Sequence, residues 1–398
     1  MAKLAFEDLE FEDKGGFVRF NFLRNFFFDV EKSVLDKLDY IKSHKNEIEF
    51  KDKEARKKFD KLLDAYMPKL KSKITRKPAF YIHRYSGIPL IGSNSFGIVD
   101  RNTTLIEVKP ITGCNLNCVY CSVDEGLSTR KIMDYVVEEG YLVEEFKKLA
   151  AFKAVSGIEA HIGVNGEPLI YSPLLKLIRD LAAIPEVSVV SMDTNGVLLT
   201  KELIDELAKI GKVRINLSIN ALEPKLAKLI SGYGKYDVEH VIKMAEYASK
   251  KTELLIAPVL IPGYNEKEMG SLVEFARRIG AKIGIQNFLN YHYGRNPAKA
   301  CSFADFYRMM NELERKHNVK LLLSPADFNI RKTKKLPKPF VKGDIVKASI
   351  AFPGRLPEEQ VVIATERTIL IRNCKKAKGE IRIKITRSKH NIFVGIPV

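Results

Sequence analysis

A chain of 398 residues, 45% hydrophobic and 29% charged, is long enough for a large core and a small second domain. No apolar run approaches the ~18 residues of a membrane-spanning helix, the opening Met-Ala-Lys-Leu-Ala-Phe-Glu-Asp-Leu-Glu has no apolar leader core, and five cysteines make no disulfide framework, so a cytoplasmic protein is expected. The 66 Lys and Arg against 49 Asp and Glu give a net charge of +17, which favours a polyanionic partner, nucleic acid first; lysine-rich usage without Trp is also how a thermophile chain reads.

Residues 1–100 contain no cysteine. Phe17, Phe20, Phe22, Phe26, Phe27 and Phe28 read as core. A helical, charge-rich stretch is expected over 31–70, with Val34, Leu35, Leu38 and Ile41 as its apolar positions. Lys69, Lys71, Lys73, Arg76, Lys77 and Arg84 then follow without one acid, and Phe80, Tyr81 and Tyr85 interleave with them. A stretch such as 69–85 either grips phosphates and stacks bases or is a solvated linker.

From 101 to 330 the pattern changes. Apolar strands near 103–110, 158–163, 187–193, 213–219, 254–261 and 282–289 alternate with amphipathic stretches at 137–150, 172–182, 201–209, 238–250 and 266–279. Strands alternating with helices predict parallel βα units, and six are too few for a complete eight-fold barrel.

The chemistry-bearing residues fall after these strands. Cys114, Cys118 and Cys121 form a C-x3-C-x2-C run behind the first. Three thiolates this close can hold three corners of a [4Fe–4S] cube and leave one iron for a small molecule. A zinc knuckle usually needs four closed ligands, often two C-x2-C pairs, and neither a second pair nor a suitably spaced His follows. Gly163-Val164-Asn165-Gly166-Glu167-Pro168 follows the second strand and Asp193-Thr194-Asn195-Gly196 the third. On the fourth, alternation puts Asn216, Ser218 and Asn220 on one face. The fifth ends in Val259-Leu260-Ile261-Pro262-Gly263-Tyr264-Asn265-Glu266, and the sixth reads Ile283-Gly284-Ile285-Gln286-Asn287-Phe288. Beyond it, Asn290-Tyr291-His292-Tyr293-Gly294-Arg295 has the aromatic and cationic character of a substrate contact.

The cysteine run in this context resembles the radical S-adenosylmethionine (SAM) superfamily. The resemblance implies a partial (β/α)6 TIM-like barrel with its chemistry at the C-terminal ends of the strands. In that family the open iron chelates the amino and carboxylate groups of SAM, and an electron cleaves SAM to a 5′-deoxyadenosyl radical. Carried onto this chain, Cys114, Cys118 and Cys121 become the cluster ligands. Tyr120 packs near the adenine, and Asn165, Gly166 and Glu167 form the element that holds the SAM ammonium. Thr194, Asn195, Asn216, Ser218 and Gln286 become further SAM contacts, and an electron donor such as ferredoxin or flavodoxin is implied. Residues 1–100 would lid or extend the barrel.

Arg331-Lys332-Thr333-Lys334-Lys335-Leu336-Pro337-Lys338-Pro339 reads as a domain boundary. Strands are predicted at 344–352, 359–364, 367–371, 380–387 and 391–396, a small all-β barrel of the OB type. Lys342-Gly343-Asp344, Pro353-Gly354-Arg355 and the Ile385–Val394 segment resemble a TRAM domain, an RNA-binding barrel of tRNA and rRNA modification enzymes. Residues 338–398 carry 13 Lys and Arg against 5 Asp and Glu. The expectation is therefore a radical SAM enzyme modifying tRNA or rRNA. A radical SAM enzyme acting on a protein, lipid or small cofactor, and a non-catalytic iron–sulfur RNA-binding protein, stay open. Methylthiotransferases join the same two domains but use three further cysteines, and here only Cys301 and Cys374 remain. Cys301, just past the last barrel strand, is the candidate catalytic thiol of the kind base methylases use; the alternative for both is a buried inert thiol.

Overall fold

The computed structural model describes residues 2–398 except Lys53, Thr129 and Val164; Val164, part of the second motif, thus lies outside the described residues. Six parallel strands run in chain order through one sheet: Leu105–Lys109, Ile158–Ile162, Val187–Thr194, Val213–Leu217, Glu253–Ile256 and Lys282–Ile283. Gly97–Asp100 adds an antiparallel strand at the first edge. Helices follow each strand, as the alternating pattern predicts. Lys201–Ile210 shows how the sequence sets them. Thr200 caps its start by accepting the Leu203 N–H at 3.2 Å, Gly211 ends it with φ +77, and its inner face buries Ile204 and Leu207. Each such burial stabilises by about 1.5–3 kcal/mol.

The inner face of the sheet departs from the continuous apolar runs usual in buried parallel strands. Alternate positions carry Glu107 and Lys109, Glu159 and His161, Ser191 and Asp193, Arg214 and Asn216. At the C-terminal ends the sheet is extended by two short parallel pairs, Thr112–Gly113 with Asn165–Gly166 and Val259–Leu260 with Gln286–Asn287.

The N-terminal region corrects the helical expectation for 31–70. Among the described residues only Lys32–Asp36 and Ala55–Tyr66 are α-helical there; Tyr40–His44 and Glu47–Phe50 are strands of a three-stranded sheet. Glu47-Ile48-Glu49-Phe50 alternates with period two, burying Ile48 and Phe50, and that local period overrides the longer helical one. The phenylalanine run forms a hairpin, Phe17–Phe22 with Phe26–Glu31. Phe20, Phe26 and Phe28 are buried, as the core reading expects, and Phe20 stacks on Phe59 of the helix at 5.9 Å; Phe17, Phe22 and Phe27 are only half-buried.

Residues 345–397 fold as a closed five-stranded barrel: Ile345–Pro353, Gln360–Ala364, Arg367–Ile371, Gly379–Arg387 and Val394–Pro397. All five strands were legible in the sequence. Around the barrel the order is first, second, third, fifth, fourth, with the third and fifth parallel. It has its own small core around Val362, Ile369, Ile383 and Phe393.

This barrel is fused to the rest of the protein rather than tethered to it. Phe352 is buried in the main core, stacks on Phe80 with centroids 4.1 Å apart, and meets Tyr135 edge-on at 5.3 Å. Arg355 reaches back to two buried carboxylates, Glu125 at 2.8 Å and Asp134 at 3.2 Å. Gly92, at φ +134, presses against Thr368, where a Cβ would sit 2.0 Å from the carbonyl oxygen. The 331–339 linker is pinned too: Thr104 N–H donates to the Arg331 carbonyl at 2.8 Å, and Lys153 Nζ to that of Lys334 at 2.7 Å. Within the basic stretch 69–85, Phe80 and Tyr81 are therefore taken up by packing, Tyr81 against Phe22 at 4.8 Å, and only Tyr85 stands exposed.

Candidate cofactor site and chamber

The cysteine loop leaves the first strand through Thr112–Gly113, whose partner is Asn165–Gly166 of the second motif. The two backbones touch. Gly166 has φ +145, and a Cβ there would lie 1.8 Å from the Gly113 carbonyl oxygen. Two further glycines close on the loop: Gly126 against the Leu116 carbonyl and Gly232 against that of Asn117, with Cβ positions 1.9 and 2.0 Å away. The loop backbone is also bonded to the helix after the fourth strand, Asn117 N–H to Ser231 and Val119 N–H to Ile230, each at 3.0 Å. Gly166→Ala is accordingly expected to destabilise the protein by at least about 2 kcal/mol, read as a lowered midpoint in denaturant, and to weaken SAM binding. A midpoint equal to the parent's would remove this account of the glycine.

The three cysteines are half-buried. Burial, then the nearby Glu167 charge, pushes the Cys114 thiol up; burial, then Cys121, pushes that of Cys118 up to about 12. Such thiols make poor free nucleophiles but become thiolates when a metal centre supplies positive charge. Backbone donors face them: Leu116 N–H to Cys114 Sγ at 3.4 Å and Glu125 N–H to Cys121 Sγ at 3.3 Å. A cubane takes its thiolates on separate irons. The donor set, its burial and its N–H···S bonds fit such a cluster.

Beside the loop, Glu167 is 1% exposed and accepts three donors: Thr194 Oγ1 at 2.6 Å, Asn195 N–H at 2.8 Å and Leu169 N–H at 3.0 Å. The second and third motifs thus lock together through one carboxylate. Asn195 Nδ2 donates to Asn115 Oδ1 at 2.8 Å, and Asn220 Nδ2 to the Tyr120 hydroxyl at 2.7 Å. Cys118, Tyr120, Asn195, Ser218 and Asn220 line one small void of about 30 Å³. Asn216 lies elsewhere, tied to Asp193 at 2.9 Å and Arg214 at 3.2 Å. Gln286 is exposed on its short strand, its N–H bonded to the Pro258 carbonyl at 2.8 Å. Cys301 is half-buried and its carbonyl accepts Asn287 Nδ2 at 3.0 Å, while Cys374 is buried in the small barrel's core.

Sequence reasoning missed the charged lining of the sheet. His161 Nδ1 lies 2.8 Å from Ser191 Oγ and its Nε2 3.2 Å from Asp193 Oδ2. Ser191 donates to Glu159 at 2.6 Å, Glu159 pairs with Arg214, and Lys109 pairs with Glu107 at 3.1 Å. Burial pulls the His161 pKa down, but the Asp193 charge and hydrogen bond outweigh it and the net shift is upward. The signal was present as charged residues at period two inside predicted strands. Arg295 was also missed as an organiser. Its guanidinium donates to the Cys118 carbonyl and Asp124 Oδ1, both at 2.8 Å, and to the Glu125 carbonyl at 2.5 Å.

Above the loop lies a chamber of about 740 Å³. Ser122 and Asn165 line it from the cofactor side, Tyr291, His292 and Tyr293 from the post-barrel loop, and Arg355, Arg372 and Arg387 from the small barrel.

The radical SAM superfamily model matches residues 108–276. The uncharacterized protein MJ0103 of Methanocaldococcus jannaschii is 40% identical over 357 residues, 82% of each chain. A probable GTP 3′,8-cyclase of Pyrococcus abyssi is 26% identical over 279 residues, 70% of this chain and 82% of that protein. Streptococcus suis SuiB bound to S-adenosylmethionine is a structural neighbour with TM-score 0.44 and 16% identity, covering 80% of this chain and 71% of that one. The chain belongs to the radical SAM superfamily, whose cofactors are a [4Fe–4S] cluster and SAM and whose members need an electron donor. No helix among the described residues is long and apolar enough to cross a membrane.

Proposed function

We propose that this protein is a radical SAM enzyme that modifies tRNA or rRNA. The observation that carries the reading is the shared chamber. The small barrel, in a segment 338–398 with 13 cations and 5 acids, contributes Arg355, Arg372 and Arg387 to the same cavity that Ser122 and Asn165 line beside the cysteine loop. Substrate held by the basic barrel would therefore lie next to the radical source. The strand order, closing first on fourth and third on fifth, supports the OB-type, TRAM-like reading. The outer face of the barrel also carries Lys347, directly opposite Arg382 and paired with Glu380 at 2.6 Å, and Lys384 two residues on.

In this reading Cys114, Cys118 and Cys121 hold the cluster, and Glu167 with the Asn165–Gly166 backbone accepts the SAM ammonium. Thr194 and Asn195 fix that carboxylate, while Tyr120, Ser218 and Asn220 wall the adenosyl side. The bound cluster and SAM supply a hydrogen-abstracting radical able to attack inert C–H bonds. The protein's part is to place one substrate atom beside it and exclude water. Nucleoside mass spectrometry of tRNA and rRNA from the source organism, with and without the gene, tests this. Loss of one modified nucleoside with accumulation of its precursor is expected; unchanged RNA would sink it.

A free nucleotide is the second reading. It is favoured by the volume of the chamber, large enough for one nucleotide, and by the similarity to probable GTP 3′,8-cyclases.

The cofactor pocket also predicts a pH dependence. Burial pushes the Glu167 carboxyl up to about 7, against the pull of its three donors. Between the ordinary carboxylate range and that value the folded protein holds a proton that the unfolded chain releases. The contribution of this group to stability is thus present in acid and lost as pH rises through the window. A bound ammonium favours the ionised carboxylate, so SAM affinity is expected to rise from about pH 6 to about pH 8. Glu167→Gln should flatten the profile; calorimetry showing a flat profile in the parent protein would remove the ammonium role.

A further inference from the structure

Arg355 is 4% exposed, yet two of its guanidinium nitrogens, Nε and Nη1, have no hydrogen-bond partner among the described residues. Only Nη2 is engaged, by Glu125 at 2.8 Å and Asp134 at 3.2 Å. A guanidinium stays charged in any protein setting, and each unmet buried donor costs about 1–3 kcal/mol. Both nitrogens are themselves buried, so what Arg355 offers the chamber it lines is fixed positive charge rather than open donors.

The rest of the wall has the matching sign. Arg101, Lys131, Arg355, Arg372 and Arg387 line the chamber against one acid, Glu359. Three of these cations are already committed, Arg355 to Glu125 and Asp134, Arg372 to Glu359 at 3.2 Å and Arg101 to Glu107. Lys131 and Arg387 have no ion-pair partner among the described residues. Burial, then Arg355, pulls the Lys131 ammonium down, and burial, then Arg101, pulls nearby His390 down. Burial is the larger cause in each, and the neighbouring cation adds to it. Facing the cations, Tyr291 is 47% exposed, and Tyr293 carries Arg372 over its ring at 4.5 Å. Ring faces across from clustered cations suit a base and its phosphate.

We propose that this chamber is a phosphate site that seats the nucleotide undergoing modification, with Lys131 and Arg387 as its free charges and Arg355 as fixed positive charge in the wall. The anion site stands on the chamber alone; that the nucleotide belongs to RNA rests on the reading in the preceding section. Arg355 is a poor first variant because its removal strands two buried carboxylates. The test is Lys131→Gln/Arg387→Gln in the full-length, cluster-loaded protein, with melting midpoint and iron content checked against the parent. Calorimetric titrations use the four ribonucleosides, their 5′-monophosphates and a short mixed-sequence single-stranded RNA at several salt concentrations. The parent should bind the phosphorylated ligands more tightly than the nucleosides. The double variant should lose about ten-fold or more in affinity for them, with the salt slope reduced by about 1–2. Unchanged affinity and slope in the variant, or nucleosides binding as tightly as monophosphates, would overturn the site. Preferential binding of RNA supports the RNA source. Monophosphates binding as well as RNA would uphold the site and overturn the RNA reading.

Discussion

Cys118→Ala is expected to leave a folded protein with little cluster iron and no reductive cleavage of SAM. The backbone of the loop does not depend on this side chain. The Cys118 carbonyl is held by Arg295, Val119 N–H by Ile230, and Gly126 and Gly232 close on the neighbouring carbonyls. Loss of function would therefore report a missing ligand and not a collapsed loop. Iron and sulfide content, the charge-transfer absorbance of the cluster, and 5′-deoxyadenosine formation with a strong reductant would measure it. Cys374→Ala, buried in the core of the small barrel, is the control and should keep its iron. Parent-like iron and cleavage in the Cys118 variant would end the assignment of the cysteine run.

Arg355→Ala has the second largest expected effect. Glu125 and Asp134 are 3% and 1% exposed, and the arginine is the cation that Glu125 bonds from the small barrel. Removing one partner from a buried ionic group typically costs about 3–5 kcal/mol, because the remaining charges stay desolvated. Burial already raises the Glu125 carboxyl despite the guanidinium beside it. Without Arg355 the folded state should bind protons more tightly still, so the deficit should be largest at neutral pH and shrink in mild acid. Denaturant unfolding at about pH 7 and about pH 5 would show this, and Arg355→Met/Glu125→Gln should recover part of the loss. A deficit below about 1 kcal/mol at neutral pH would mean that the carboxylates find other partners or water.

The parts of this protein that could be read from sequence are those where a local rule and the fold agree. The five strands of the small barrel alternate in the open, and the six βα units are punctuated by glycines and caps such as Thr200 and Gly211. The motifs around Cys114, Glu167 and Asn195 meet in space because each ends a neighbouring strand, so their order in the chain already encodes their proximity. What could not be read depends on distant partners. Nothing in the local sequence of Arg295 or Arg355 reveals that one bonds the cysteine loop and the other two buried carboxylates. The stretch 31–70 misleads because its charged residues mask a period-two strand at Glu47–Phe50. Asn216 shares a face with Ser218 by alternation, yet Arg214 and Asp193 claim it first. Phe80 and Tyr81 sit among cations in the chain but serve packing, since Phe352 and Phe22 cover them.

The Arg355–Glu125 pair joins positions 230 residues apart, and Tyr135 reaches the Pro353 carbonyl across 218. Contacts of such separation form late, because the intervening chain must be ordered before they are gained. The cysteine loop is thus braced from one side by a segment that leaves the ribosome more than two hundred residues after it. Until that segment arrives, Glu125 and Asp134 lack their cation and Phe80 lacks its cover. Assembly of the cofactor site is consequently coupled to synthesis of the small barrel, and a nascent chain without it would present an open, unbraced loop to solvent.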